Sequence, residues 1–326
     1  MRGGTAERDP GLAAAAQAAL ECLGVGPEDD VVVLSNPAQH AVATALATAA
    51  AAAARGVQLV EYPAGERDGQ EPPEAVEVAL ADATVVIAPT TTSLSHTRAR
   101  LEATARGTRI ATMPGVTEET FARALPVDYA KLRDVGERIA AALTAATECR
   151  ITSAAGTDIV LSLEGRAGQA DDGNLQGRGA FGNLPAGEAY VAPVEMRGDG
   201  TIVFDGSLAG FGLLSGPVRV TVADGRAVAA DGPAGRWLLD TLDAGGESGR
   251  VIAELGIGTN AAARLSGRIL EDEKVVGTAH IAFGTNVSLG GANVSNVHID
   301  GLLRRPTIEL DGRPLVRDGT LVIPAP

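Results

Sequence analysis

Asp30-Val31-Val32-Val33-Leu34-Ser35-Asn36-Pro37 decides how the first half of this chain is read. Four consecutive apolar residues, three of them β-branched, make a short strand without a polar face. Ser-Asn-Pro then ends it with turn chemistry. The run Ala41 to Ala54 comes next, built mainly of alanine, which forms helices readily but is a weak hydrophobe. It is too short to span a bilayer and contains Thr44 and Thr48, so it reads as a helix packed closely on a sheet.

The same step recurs on either side. Residues 11–21 read as a helix, Val57 to Tyr62 as a strand, Pro73 to Leu80 as a helix and Ala83 to Ala88 as a buried strand. His96 to Arg106 reads as a helix and Arg109 to Met113 as a further strand. Strands alternating with helices predict parallel βαβ units with helices on both faces of one sheet, a Rossmann-like α/β domain. No GxGxxG is found after the first strand, so no nucleotide cofactor is expected.

A long helix from about Asp128 to Thr147 closes this half, and the pattern then changes. Asp158 to Leu163, Thr201 to Phe204, Val218 to Val222 before Asp224-Gly225, and Thr307 to Leu310 before Asp311-Gly312 alternate with period two and end in Gly-rich turns. One helix is expected from about Ala261 to Glu271. The reading is therefore two domains, 1–148 Rossmann-like α/β and 149–326 α+β with a largely antiparallel sheet. A length of 326 residues agrees, since single cores stop growing at about 250 to 300.

Composition narrows the function classes. Hydrophobic residues make up 45% and charged residues 21%, enough for packed cores. A formal charge of −14 argues against nucleic acid or an anionic membrane as partner. The polar start, Met1 to Asp9, has no export signal, and Cys22 and Cys149 form no CxxC pair. The expectation is a cytoplasmic protein without disulfides or thiolate metal sites.

Only four histidines occur: His40, His96, His280 and His298. In Asn296-Val297-His298-Ile299-Asp300-Gly301, an extended backbone puts imidazole and carboxylate on one face, and His280 lies in another strand-like segment, Gly277 to Gly284. Two imidazoles and a carboxylate suit Zn²⁺, Mn²⁺, Co²⁺ or Fe²⁺. A pair of structural histidines with a turn aspartate is the other reading. Glu188, flanked by Pro185 and Pro193, and Glu254, in Ile252 to Asn260, stand alone among apolar neighbours, where a carboxylate needs a cation or strong donors. An exposed loop glutamate is the alternative for each. His96 comes after the strand ending at Ala88, on the carboxyl side of the sheet where open α/β folds place ligands, unless it is simply a helix-start residue capped by Ser95.

Leu184-Pro-Ala-Gly-Glu188, Glu254-Leu-Gly-Ile-Gly-Thr-Asn260, Ala279-His280-Ile-Ala-Phe-Gly284 and Val297-His298-Ile-Asp300 together resemble, in order and spacing, the thermophilic-type metallo-aminopeptidases called aminopeptidase T. The resemblance implies a pair of divalent metals (Zn, Co or Mn) on Glu188, Glu254, His280, His298 and Asp300. It implies hydrolysis of a peptide or amide bond in a small molecule or short peptide, with Glu188 and Glu254 as candidate bases, and a homodimer. Val287 stands where that family places a catalytic tyrosine, so Asn286 or another group must substitute, or the reaction differs.

The same superfamily holds the non-haem Fe(II) dioxygenases that open dihydroxypyridine rings, where two histidines and an aspartate carry one iron. His280, His298 and Asp300 meet that pattern equally, with His96 as the available acid–base histidine. A second such histidine, expected shortly after Glu188, has no counterpart between Ala189 and Ala279. A third reading, a site decayed to binding alone, is opposed by the presence of all five ligand residues.

Overall fold

A computed structural model of the protein describes residues 9–322, so most of the polar start lies outside the described residues. In chain order the first elements are α1 (Pro10–Leu23), β1 (Asp30–Ser35), α2 (His40–Ala50), β2 (Gly56–Glu61), α3 (Glu74–Asp82), β3 (Val85–Ala88), α4 (Arg98–Arg106), β4 (Arg109–Thr112), α5 (Glu118–Ala124) and α6 (Tyr129–Ala145). Next come β5 (Glu148–Ser153), β6 (Asp158–Ser162), β7 (Gln169–Asp171), β8 (Phe181–Asn183), β9 (Glu188–Val191), β10 (Gly198–Phe204), β11 (Ser207–Leu208), β12 (Gly212–Leu213), β13 (Val218–Ala223) and β14 (Arg226–Ala230). The remainder are α7 (Gly232–Asp243), β15 (Ile252–Gly258), α8 (Ile269–Asp272), β16 (Ala279–Gly284), β17 (His298–Leu303), β18 (Pro306–Leu310), β19 (Arg313–Arg317) and β20 (Thr320–Leu321).

One compact unit holds the chain up to Asp128 and takes back Gly173–Ala186. Its sheet runs β2-β1-β3-β4-β8 with every pair parallel, the Rossmann-like architecture expected. The apolar run explains it. Val32 and Leu34 pack with Val76, Leu80 and Ala103 of α3 and α4, while Val31 and Val33 point the other way, toward the side where α1 and α2 pack. Asp9 caps α1, Pro10 starts it, and Gly24 ends it at φ +58, where a side chain would be strained. Helix α4 starts later than expected: Thr97 is its cap, accepting from the Arg100 amide, which leaves His96 in the preceding loop rather than at a helix start capped by Ser95.

The other unit holds Tyr129–Asp172 and the chain from Gly187 onward. The division therefore falls before α6, whereas the sequence places it after that helix, at 148/149. The reason is packing, since α6 lies against β7 and β9. Two antiparallel sheets face each other here, β14-β13-β10-β6-β5-β18-β19-β20 and β12-β11-β17-β16-β15-β9-β7. Their inner faces share one core, with Phe204 and Phe283 meeting edge to face at 6.4 Å and Ile139, Leu143, Leu238 and Leu242 added from α6 and α7.

The helix expected at 261–271 is reduced to the single turn α8. The Asn260 side chain accepts from the Ala262 and Ala263 amides, and Gly267, at φ +82, interrupts the helical path just before α8. The longer helix among the strands that follow α6 is instead α7, with Pro233 in its first turn and Leu238 and Leu242 four apart on its buried face. No helix among the described residues is long and apolar enough to cross a membrane. Cys22 and Cys149 are both buried and lie in different units.

Candidate metal centre

Period two sorts the seven-stranded sheet into an apolar and a charged face. Ala189 and Val191, Leu255 and Ile257, Ala279, Ile281 and Phe283, and Leu303 point into the shared core. Their alternates, Glu188, Tyr190, Glu254, Gly256, His280, Ala282, His298 and Asp300, share the opposite face, with Gln169 and Asp171 from β7. Strand β15 keeps both faces correct by a bulge: Ile252 opposes Phe283 and Glu254 opposes Ala282, so Ala253 is the extra residue.

Small residues then let the long side chains converge. Ala282 lies between Glu254 and Asp300 in register. Gly256 lies beneath His280, where an added Cβ would stand 2.1 Å from the ring. The imidazole thus crosses β15, and its Nε2 reaches to 3.4 Å from Glu188 Oε2 on β9 and 3.6 Å from Glu254 Oε1. His298 Nε2 lies 3.2 Å from Glu254 Oε2 and 3.5 Å from Asp300 Oδ1, while its Nδ1 is 2.7 Å from the Thr285 carbonyl. Donation from Nδ1 to that carbonyl leaves the Nε2 lone pair directed into the cluster, the usual orientation of a metal-binding imidazole.

Two triples of ligand atoms lie within 4.8 Å of one another among the described residues, Glu188, Glu273 and His280, and Glu254, His280 and Asp300. The five residues expected from the sequence are therefore brought to one face of one sheet. His96 belongs to the other unit, exposed in the loop before α4.

Three further groups had no signal in the sequence. Lys274, 1% exposed, places its Nζ 2.6 Å from Glu188 Oε1, 2.8 Å from Glu273 Oε1 and 3.2 Å from Asp171 Oδ2. Four consecutive charged residues, Glu271-Asp272-Glu273-Lys274, are folded inward: Asp272 accepts from Ser207, Ser266 and Gly267, and Glu271 from the Arg264 amide.

The electrostatics are those of a site short of positive charge. Burial disfavours the His280 imidazolium, yet Glu254, Glu188 and Asp300 outweigh it and raise the pKa to about 9. His298 is raised well above its ordinary value against the same burial, by Asp300 and Glu254. Burial pushes Glu273 up to about 8 and Asp171 to about 6, in both cases against the pull of Lys274. Burial likewise acts upward on Glu254, but the two imidazoles hold it well below the carboxylate range. Five carboxylates thus face one ammonium, and the imidazoles recruit protons to balance them. Glu188 Oε2 and His280 Nδ1 are buried without a hydrogen-bond partner, a further sign that the cluster is built for a cation. The donor set of imidazole nitrogen and carboxylate oxygen fits a borderline divalent ion.

Around the centre, Val287 is 52% exposed and carries no hydroxyl. Asn286 is committed elsewhere: its Nδ2 donates to Glu195 Oε1 and its Oδ1 accepts from the Asn293 amide, both at 2.8 Å. The tyrosine position of the aminopeptidase pattern is therefore not filled by its neighbour.

The two families suggested by the motifs both have solved members with this fold. The structure of 2,5-dihydroxypyridine dioxygenase from Pseudomonas putida KT2440 superposes with a TM-score of 0.81 at 22% identity, covering 96% of this chain and 97% of that one. Wild-type AmpT from Thermus thermophilus gives 0.74 at 20% identity, covering 96% and 99%. No curated protein matches the chain in sequence. The family model NicX, 2,5-dihydroxypyridine 5,6-dioxygenase, matches residues 11–323. A match running through both units and every strand of the charged face assigns the chain, an enzyme by its relatives, to the 2,5-dihydroxypyridine 5,6-dioxygenase family.

Proposed function

We propose that the chain is a ring-cleaving dioxygenase acting on a dihydroxypyridine or a closely similar hydroxylated heteroaromatic ring, with one iron(II) held by His280, His298 and Asp300. The family match over residues 11–323 carries this reading and favours it over the peptide-bond hydrolase. A bound iron(II) would supply coordination positions for a chelating substrate and for dioxygen. The chain's own part is orientation and proton handling. Thr285 fixes the His298 ring through Nδ1. Glu254, between the two imidazoles, and Glu188 are the proposed acceptors for protons released when ring hydroxyls bind.

The second reading, a two-metal hydrolase using Zn, Co or Mn, has one observation in its favour, the presence of Glu188 and Glu254 on the same face as the other three ligands. Val287 and the committed Asn286 count against it. The test uses anaerobically purified protein loaded with Fe²⁺ and offered 2,5-dihydroxypyridine in air. Oxygen uptake matched to loss of the ring's absorbance is expected. Cleavage of short peptides by the Zn²⁺, Co²⁺ or Mn²⁺ form, with no oxygen consumed by the Fe²⁺ form, would replace it with the hydrolase.

A further inference from the structure

Only two lysines occur in the sequence, Lys131 and Lys274, among 27 basic residues of which the rest are arginine. The placement of Lys274 is chemically specific. An ammonium is a compact point charge that takes three oxygens in a cone, as a small cation does, whereas the planar guanidinium fork cannot. Its three oxygens come from Asp171, Glu188 and Glu273, and two of those residues, with His280, form one of the two ligand triples on this face. Two metal ions sharing a centre sit about 3.5–4 Å apart and are bridged by common ligands. Here the bridging candidate, Glu188, already gives Oε1 to the ammonium and holds Oε2 3.4 Å from Nε2 of His280, the residue shared by both triples. An ion among Glu188, Glu273 and His280 would have to share those same oxygens with a fixed positive charge.

We propose that the Lys274 ammonium occupies the second cation position, so that Lys274 is the residue that limits this centre to a single divalent ion. The inference rests on the reading of His280, His298 and Asp300 as ligands. It concerns ion count and does not depend on which reaction the ion serves. Beside the ammonium, Glu188 acts as an oriented hydrogen-bond acceptor facing the metal side of His280 instead of a bridge between two ions.

The test is calorimetric titration of metal-free protein with Mn²⁺, Zn²⁺ and, anaerobically, Fe²⁺, with elemental analysis after desalting. Wild type is expected to retain one ion per chain at saturation. Lys274→Met, which leaves the carboxylates without their cation, is expected to retain two and to show a second rise in thermal midpoint as the second ion binds. If Lys274→Met does not accumulate folded, Asp171→Asn/Lys274→Gln removes one charge of each sign, leaves Glu188, Glu273 and His280 in place, and is read in the same way. A wild type that retains two ions, or a folded variant that still retains one, overturns the role of Lys274 alone. A wild type that retains none overturns the ligand reading with it.

Discussion

In the parallel sheet, Val31–Leu34 and Val85–Ala88 are buried on both faces, and ion pairs such as Arg98 with Glu77 and Glu102 stand at the surface. The seven-stranded sheet has one face as apolar as those strands, while the other buries Glu188, Glu254, His280 and Asp300 at 7% exposure or less, with Lys274 beside them. Taking an ion out of water costs several kcal/mol even after relaxation, and exposed pairs return about 1 kcal/mol or less. A fold that needed only stability would keep its charges where the first sheet keeps them. The contrast separates residues that hold the second unit together from residues that equip it, although they alternate along the same strands.

The largest effect is expected on the apolar side. Phe283→Ala removes a fully buried ring packed against Phe204 and should cost about 3–5 kcal/mol in denaturant unfolding, with the ion count per chain unchanged. Its neighbours on the other face should do the reverse. Asp300→Ala or His298→Ala should weaken metal binding by more than about a hundredfold while the far-ultraviolet circular dichroism stays that of wild type. Unchanged metal content would remove both from the ligand set.

Gly256→Ala is a sharper probe, because it adds one methyl group and deletes nothing. The methyl would meet the His280 ring, so metal affinity should fall about 10- to 100-fold; an unaltered affinity would mean that His280 does not need its path over β15. The smallest effect is expected at an exposed carboxylate. Asp311 is held below its ordinary pKa by hydrogen bonds from the Thr147 side chain and the Glu148 and Thr147 amides. A depressed carboxylate stabilises above its unfolded pKa of about 3.9 and loses that contribution as pH falls through the folded value. Asp311→Asn should therefore lower the thermal midpoint slightly at pH 7, with the gap to wild type closing below about pH 4.

Much of this contrast is legible in the sequence. The β-branched run at Val31–Val33 and the recurring β-turn-α step give the parallel sheet, and the spacing of His298 and Asp300 with His280 gives the charged face. What escapes is set by contacts distant in sequence. Glu271-Asp272-Glu273-Lys274 has the composition of a surface turn, and only Ser207, the 264–267 loop, Asp171 and Glu188 make it an interior one. The bulge at Ala253 carries no residue signature, yet without it Glu254 or Ile252 would face the wrong way. The signal for α7 was available, in Pro233 and the spacing of Trp237, Leu238 and Leu242, whereas the 261–271 segment has helix-compatible alanines that the Asn260 turn overrides.

The return of Gly173–Ala186 to the first unit has a consequence for synthesis. Strand β8, which completes the parallel sheet beside β4, is made only after α6, β5, β6 and β7 of the other unit have emerged. A nascent chain released after β4 holds an open sheet edge at Arg109–Thr112 until Phe181–Asn183 arrives. Any cut between 128 and 173 separates that edge from its cover, so the two units cannot be expressed as contiguous halves, and a fragment ending at residue 148 is an incomplete sheet with an exposed strand.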